Sequence, residues 1–148
     1  MENIVVNKKA RHEYFIEDTF EAGITLKGSE IKSIRAKKVN IEDAYILIKD
    51  KEAFIINMHI SKYAFSATFN HEETRKRKLL LHKHEIIKLE TKKKLQNMTI
   101  IPLKLYMVHG LAKMEIALAK GKKLHDKRHD LATKDANRRL QKIQNHRG

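Results

Sequence analysis

Two histidines and two aspartates lie among four cationic side chains in the segment GKKLHDKRHD, residues 121–130. His125 and His129 are four residues apart, the spacing that places two side chains on one face of a helix. The segment could therefore supply part of a metal site, an acid–base pair or a cationic surface for RNA. Zinc needs three or four ligands, and the surrounding lysines and arginine would repel a divalent cation. The metal interpretation is therefore the weakest, and we expect no bound metal or cofactor.

A second pair of histidines lies in HKHE, residues 82–85, where His82 and His84 alternate as ligands on a strand would. Cations at residues 75–78 crowd this pair too, so polar residues at the start of a helix are the simpler interpretation. The absence of cysteine excludes thiolate metal sites and thiol nucleophiles. The G-x-S-x-G motif of hydrolases and a glycine-rich phosphate loop are also missing. We therefore expect that the protein is not an enzyme.

The net charge of +14 is concentrated in two segments. Residues 75–94 contain nine Lys or Arg against two acidic residues, and residues 120–148 contain ten against three, while the remainder balances at thirteen each. A polyanion is the natural partner of two such segments. Neither segment has the broad apolar face that would bury in lipid. Nucleic acid is therefore the expected partner, and no membrane association is expected.

Length and hydropathy predict one domain with a substantial core. The chain has 148 residues, of which 41% are hydrophobic. It has no run of eighteen apolar residues, and its first fifteen residues lack the apolar block of a secretory signal. We therefore expect a cytoplasmic protein.

Strand and turn signals predict a mainly β domain over residues 1–119. Two β-rich runs, 44–48 and 53–60, flank the polar residues 49–52, which predicts a hairpin. A second hairpin is predicted to turn at His109-Gly110. After this turn, the even-numbered residues from 112 to 118 are apolar while Lys113 and Glu115 are polar, which predicts a strand with one wet face.

Single residues predict irregularities in two other strands. Pro102 cannot donate a backbone hydrogen bond, so it predicts an edge or a bulge near the start of its strand. Gly23 lies among β-branched and aromatic residues and predicts a bent strand. The expected fold is mainly β with interspersed α-helices, in an OB-fold-like antiparallel barrel.

Two helices are predicted between the strands. In GSEIKSIRAKK, Ser29 can cap the helix, Glu30 lies in the first turn, and Ile31 and Ile34 point inward. In HKHEIIKLETKKKLQN, apolar residues face the core and Asn97 can end the helix. The core residues of this second helix are Ile86 and Leu89, and its exposed lysines are Lys88, Lys92 and Lys94.

Residues 120–148 are predicted to form a basic C-terminal tail. This segment has no aromatic residue, and its apolar stripe is limited to Ala132, Ala136, Leu140 and Ile143. Such a stripe is too thin to fold alone. The tail is therefore expected to be disordered when free and helical only when bound to a partner.

The aromatic content predicts how RNA would be recognised. Aromatic residues make up 6% of the chain, and Phe54 and Tyr106 lie in strands that need a core. Base stacking on aromatic side chains is therefore not the expected main mode. Lysine and arginine clusters on a rigid barrel instead favour phosphates and the shape of a folded, duplex-like RNA.

Five ordered segments resemble one known family. They are NKKARHEYFIEDTFEAGITLKGSEIKSIRAKKVN, HISKY, RKRKLLLHKHEI, PLKLY and ALAKGKKLHDKR. Together they resemble the SsrA-binding protein family, also called small protein B, from Asn7 to about Arg128. The resemblance implies an OB-like barrel that binds the tRNA-like domain of transfer-messenger RNA. It also implies a role in trans-translation, in which stalled ribosomes are rescued, with the protein as a monomer in a 1:1 RNA complex.

The resemblance also implies which residues contact each partner. Those implied to face the RNA are Asn7, Arg11, Glu21, Lys32, Arg35, Arg75, Arg77, Lys78 and Leu80. Those implied to meet the decoding region and message channel of the small ribosomal subunit are Lys122, Lys123, His125, Asp126, Lys127, Arg128, Arg138 and Arg139. In this interpretation the ring of His125 stacks on a base and the cations neutralise phosphate. A general structured-RNA chaperone or a ribosome accessory protein remains the alternative.

Overall fold

A computed structural model describes residues 2–63 and 71–122. The elements in this part of the chain are, in order, β1 (Glu2–Val6), α1 (Ala10–Glu13), β2 (Tyr14–Ile24), α2 (Gly28–Arg35), β3 (Val39–Asn40), β4 (Tyr45–Lys49), β5 (Glu52–Ile56), β6 (His59–Ile60), β7 (Arg77–Leu80), α3 (Lys83–Gln96), β8 (Thr99–Val108) and β9 (Leu111–Gly121). The predicted mixture of strands and interspersed helices is confirmed.

Seven strands form one antiparallel sheet in the order β1-β8-β9-β2-β7-β5-β4. Strand β4 at one end of this order also lies against β8 near the other end, so the sheet curves back on itself. Strands β3 and β6 pair separately. This architecture agrees with the predicted OB-fold-like antiparallel barrel.

Both predicted hairpins are confirmed, and both turn through two residues with positive φ. Asp50 and Lys51 have φ of 52° and 62°, and His109 and Gly110 have φ of 50° and 79°. Two consecutive left-handed residues match the twist of the flanking strands in a hairpin. The first loop is shorter than the four polar residues suggested, because Lys49 pairs with Glu52 within the ladder.

The predicted bulge is confirmed at Pro102, where the pairing of β8 with β9 shifts before Lys104. In β2 a register shift lies between Ile16 and Asp18, while the bend expected at Gly23 stays a prediction. Gly23 is the position where β2 pairs with both β9 and β7. A Cβ atom there would lie 3.4 Å from the Cβ of Leu80, within ordinary van der Waals contact.

The main core fills the inside of the barrel with aliphatic side chains from the strands, closed by Ile34 of α2 and Leu89 of α3. A smaller cluster lies on the other side of β8 and β9. Its buried members are Ala10, Ile101, Leu103, Ala117 and Ala119. The predicted wet face of β9 is therefore limited to its first half, because Ala10 of α1 packs over the small side chains of the second half.

Helix α2 differs from its prediction at the N-terminus. Ser29 does not cap the helix, which begins at Gly28 with Lys27 in the N-cap position. Ser29 is buried, and its Oγ lies 2.8 Å from Nδ1 of His71. The backbone N–H of Lys27 donates to Glu30 over 2.7 Å. Glu30 therefore satisfies a backbone donor at this helix start.

Helix α3 begins after His82 and ends at Asn97, whose φ of 51° is left-handed, so the predicted start and end are both confirmed. Ile86 and Leu89 are buried as predicted. Lys92 is not a free surface lysine, because its Nζ lies 2.6 Å from Asp18. The hydrogen bond from Lys92 lowers the pKa of Asp18. This ion pair links α3 to β2.

Candidate nucleic-acid interface

The pleat of β7 divides the predicted RNA-facing segment between the two sides of the sheet. Arg77 and Leu79 point into the barrel and are 0% and 1% exposed, whereas Lys78 is exposed and Leu80 is 55% exposed. Only alternate residues of the segment can therefore reach a ligand on the outer surface.

Arg77 is buried in an ion pair with Glu30 and is not accessible to RNA. Its Nε donates to Glu30 over 2.5 Å, and its other nitrogens donate to the carbonyls of Met58 at 2.7 Å and Glu73 at 3.1 Å. Arg75 donates to the second oxygen of Glu30 at 2.6 Å. The expectation that Arg77 contacts RNA is therefore corrected, because its charge is fully enclosed and its donors are used within the fold.

Both charges of this buried pair are maintained. Burial lowers the pKa of Arg77, and hydrogen bonding to Glu30 opposes that effect. Burial alone would raise the pKa of Glu30, but hydrogen bonds from Arg75, the Lys27 backbone and Arg77 outweigh it, so this pKa is lowered. We call Glu30, Arg75 and Arg77 the buried ion cluster. It joins α2 to β7 and to the segment that precedes β7.

Glu21 lies on the outer face of the sheet within a small polar network. The hydroxyl of Tyr106 donates to one of its oxygens, and Lys113 Nζ donates to the other over 3.1 Å. These hydrogen bonds, led by that of Tyr106, lower the pKa of Glu21. Burial, reinforced by Glu21, raises the pKa of Tyr106, so this side chain remains a hydroxyl donor.

A cavity of about 720 Å³ brings three of the predicted RNA-facing residues together, namely Glu21, Lys78 and Leu80. Other polar side chains that line it were not predicted to face RNA, namely Lys51, Glu52, His82, Lys83, Glu85 and Lys113. The polar alternation of β9 was the signal that could have identified Lys113. The cavity places four lysines and three glutamates around an exposed leucine, so its cations can contact a phosphate backbone and its carboxylates can accept hydrogen bonds beside it.

A second cavity of about 310 Å³ joins Asn7 and Arg11 to Lys8, Lys104 and Glu115. Asn7 is buried, and its side-chain amide donates to the carbonyl of Pro102 over 2.9 Å. Its Oδ1 has no hydrogen-bond partner among the residues described here. The cavity therefore offers three cations, Lys8, Arg11 and Lys104, to phosphate, while Asn7 is used within the fold.

Lys32 and Arg35 are exposed on α2, as predicted, and line neither cavity. Lys32 Nζ lies 5.3 Å from the ring of Tyr63. Arg75 is half-buried by its bond to Glu30. The predicted RNA-facing residues thus lie in two cavities, on α2 and, for Arg75, in the segment before β7, while Arg77 is buried.

Lys122 is anchored where the described chain ends. Strand β9 continues two residues beyond Ala119, the predicted end of the barrel, and Lys122 N donates to the carbonyl of Glu13 over 2.8 Å. Its Nζ donates to the carbonyl of Arg11 at 3.0 Å and lies 4.9 Å from the ring of Phe15. The other predicted ribosome contacts, Lys123, His125, Asp126, Lys127, Arg128, Arg138 and Arg139, lie outside the described residues.

The two histidines at the start of α3 stack on each other, with ring centroids 5.5 Å apart. Within residues 2–63 and 71–122, no three acidic or histidine side chains are grouped so that they could hold a metal ion. No helix in this part of the chain is long and apolar enough to cross a membrane.

A family model described as SmpB protein matches residues 4–146. The chain belongs to the SmpB family. Proteins named SsrA-binding protein from Halothermothrix orenii and Shouchella clausii are 51% and 54% identical to it over 139 residues, which cover 94% of this chain and 90% and 89% of theirs. The family assignment thus extends over the barrel and most of the predicted tail.

A solved structure described as "tmRNA-SmpB: a journey to the center of the bacterial ribosome" contains a chain of similar fold. That chain matches with a TM-score of 0.68 and 44% sequence identity, over 81% of this chain and 85% of that one. The barrel described above is therefore the fold of an SmpB-family protein.

Proposed function

We propose that this protein binds transfer-messenger RNA and acts with it on stalled ribosomes in trans-translation. The observation that carries this proposal is sequence identity of 51–54% over 94% of the chain to proteins named SsrA-binding protein. The similarity to a chain in a solved tmRNA-SmpB structure supports the same partners, the RNA and the ribosome. The two cavities on the barrel, each lined by several lysine or arginine side chains, supply a surface on which such an RNA can bind.

The RNA-binding surface that we propose is the outer side of the barrel. It includes the predicted residues Asn7, Arg11, Glu21, Lys32, Arg35, Arg75, Lys78 and Leu80, and it adds Lys8, Lys104 and Lys113, which line the same cavities. Lysine and arginine side chains there neutralise phosphates. The carboxylate of Glu21 can accept hydrogen bonds from base amines or 2′-hydroxyls.

We also propose that residues 120–148 form a basic tail, which enters the decoding region and message channel of the small ribosomal subunit. Its contacts are the eight residues named for it above. In this proposal the chain works as a monomer in a 1:1 RNA complex, in the cytoplasm with the ribosome, and without catalysis or a cofactor.

Selectivity for one RNA distinguishes this function from that of a general RNA chaperone. RNA recovered with the full-length protein from cells is expected to be dominated by transfer-messenger RNA, and the protein is expected to co-sediment with stalled ribosomes. A broad mixture of structured RNAs in the same pull-down would support the chaperone alternative instead.

Single cations on the proposed surface should each contribute one phosphate contact. We expect Arg35→Ala and Lys113→Ala to weaken binding of transfer-messenger RNA. Each should also reduce the slope of log affinity against log salt by roughly one unit. Filter binding over a series of salt concentrations measures this. Lys94→Ala, which removes an exposed lysine that lines neither cavity, is the control. An unchanged slope in the first two variants would place their side chains off the interface.

Helix formation in the tail should be needed on the ribosome but not for RNA binding. Ala136→Pro bars a helix without changing charge, so we expect it to impair peptide tagging and to leave the affinity for transfer-messenger RNA within about twofold. Ala136→Ser, which permits a helix at a cost of about 0.5 kcal/mol, is the control. Full tagging activity of the proline variant would contradict a helical bound state.

A further inference from the structure

The outer side of the first hairpin and of β7 carries an ordered array of side chains. The β4–β5 pairing sets Tyr45 beside Ile56 and Leu47 beside Phe54, and the β5–β7 pairing sets Phe54 beside Lys78. Lys49 and Glu52 lie beside each other at the turn. We call the outward residues Tyr45, Leu47, Lys49, Glu52, Phe54, Ile56, Lys76 and Lys78 the hairpin face.

The hairpin face exposes apolar and aromatic groups that the core does not use. Tyr45 is 41% exposed and Leu47 is 37% exposed, while the alternate residue Ile46 is buried at 1%. Phe54, expected from its strand to belong to the core, instead points outward and is only half-buried. Grouped exposed apolar side chains with a polar rim are characteristic of interaction sites.

The rim of this face is cationic. Lys76 Nζ lies 4.5 Å from the centroid of the Phe54 ring, and Lys78 pairs with Glu52 over 2.9 Å. Among the described residues, no carboxylate lies within ion-pair distance of Lys49 or Lys76. The charge of Glu52 is thus balanced within the face, whereas two cations remain available to an anionic partner.

We propose that the hairpin face binds unpaired RNA bases, with the ring of Tyr45 as a stacking surface and Lys76 and Lys49 as phosphate contacts. An exposed aromatic ring beside lysines is the combination by which proteins hold single-stranded nucleic acid. Neighbouring strands are about 4.8 Å apart, so Lys76 starts two strands, or about 10 Å, from Tyr45. Its flexible side chain can reach a phosphate next to a stacked base.

The position of the face favours RNA over a lipid surface or a second copy of the chain. Lys78 and Glu52 belong both to the hairpin face and to the lining of the 720 Å³ cavity, so the two surfaces are continuous. An RNA bound at the cavity can therefore extend an unpaired segment across the face. This inference rests on the proposed function and adds a second mode of contact to it.

Two RNA probes separate stacking from phosphate contact. We would measure binding of the full-length protein to an unstructured adenosine 12-mer and to a 12-base-pair RNA duplex at one salt concentration. Tyr45→Leu keeps an apolar strand residue but removes the ring, so it should weaken 12-mer binding by about 5- to 100-fold and duplex binding by less than about twofold. Tyr45→Phe should restore 12-mer binding. Phe15→Leu, which removes a 49% exposed ring on another surface, is the matched control.

Several results would overturn the inference. They are unchanged 12-mer binding by Tyr45→Leu, equal weakening for both RNAs, and equal weakening by Phe15→Leu. Tyr45→Leu could instead leave 12-mer binding unchanged and abolish binding to anionic phosphatidylserine vesicles, which would assign the face to a lipid. If it abolished concentration-dependent dimerisation in the same way, the face would bind a second copy of the chain. The proposed function is tested by a different experiment, the selective recovery of transfer-messenger RNA by the wild-type protein. A negative result with the two RNA probes therefore does not contradict that function.

Discussion

Replacing Glu30 with glutamine is expected to lower the free energy of unfolding by about 3–5 kcal/mol, because it leaves the enclosed guanidinium of Arg77 without a counter-charge. Glu30 and Arg77 are both 0% exposed, so water cannot solvate the cation that remains. Glutamine retains the size of the side chain and part of its hydrogen bonding, so the loss reports mainly on charge. Urea denaturation followed by circular dichroism measures it.

Glu52→Gln is the matched control for this experiment. Glu52 is also paired with a cation of β7, Lys78, but both side chains are about half exposed. Exposed ion pairs contribute less than about 1 kcal/mol, so this variant should be nearly neutral. A loss at Glu30 no larger than the loss at Glu52 would show that the buried ion cluster does not stabilise the barrel.

The buried ion cluster should make the free energy of unfolding depend on pH. The pKa of Glu30 is lower in the folded protein than its ordinary value of 4.5. A carboxyl whose pKa is lower in the folded state than in the unfolded state stabilises the fold fully at pH values above its unfolded-state pKa. This stabilisation is lost as the pH falls through its folded-state pKa. The wild-type protein should therefore lose stability below about pH 4.5. The Glu30→Gln variant should lose correspondingly less over the same range.

Ending the chain after Lys122 is expected to abolish peptide tagging on stalled ribosomes while the affinity for transfer-messenger RNA stays within a few-fold. The proposed RNA surface lies on the barrel, whose described part ends at the anchored Lys122. The deletion removes eight cations and three acidic residues, among them the remaining proposed ribosome contacts. Filter binding and a reconstituted tagging reaction measure the two activities separately.

Cutting at Lys122 rather than after Ala119 keeps the end of β9 paired with β2. A chain that ends at Ala119 is a useful comparison, because it also loses the contacts of Lys122 with α1. If the chain that ends at Lys122 lost RNA binding, the barrel and the tail would not have the separate functions that we propose. Retained tagging would show that the tail is dispensable.

The sequence predicted the elements whose signals are local. The first hairpin was predicted from polar residues between two apolar runs, and the second turn and the end of α3 at Asn97 contain residues that tolerate positive φ; both signals act within their own segment. The bulge at Pro102 follows similarly from a missing donor. The domain boundary near residue 119 stays a prediction, although β9 itself extends to Gly121.

The sequence could not predict which face a strand presents where polar and apolar residues do not alternate. In the run of residues 75–81, cations precede leucines without alternating, so the pattern does not decide whether Arg77 or Lys78 points inward. Pairing with β5 decides it, because Ile55 and Ala53 face the core opposite Arg77 and Leu79. The outward position of Phe54 was missed for the same reason, since its hairpin is apolar on both faces.

The anchoring of Lys122 also sets the distances over which the rest of the chain can act. His125 is three residues beyond the anchor, so even a fully extended backbone keeps its Cα within about 11 Å of Lys122. Arg138 is sixteen residues beyond it and can reach about 55 Å when extended, but only about 24 Å along a continuous helix. The proposed contact of His125 must therefore be made near the anchor, whereas Arg128, six residues beyond it, has a limit of about 21 Å. Arg138 and Arg139 can contact a separate site, and a change in helical content alone would alter how far away that site can be.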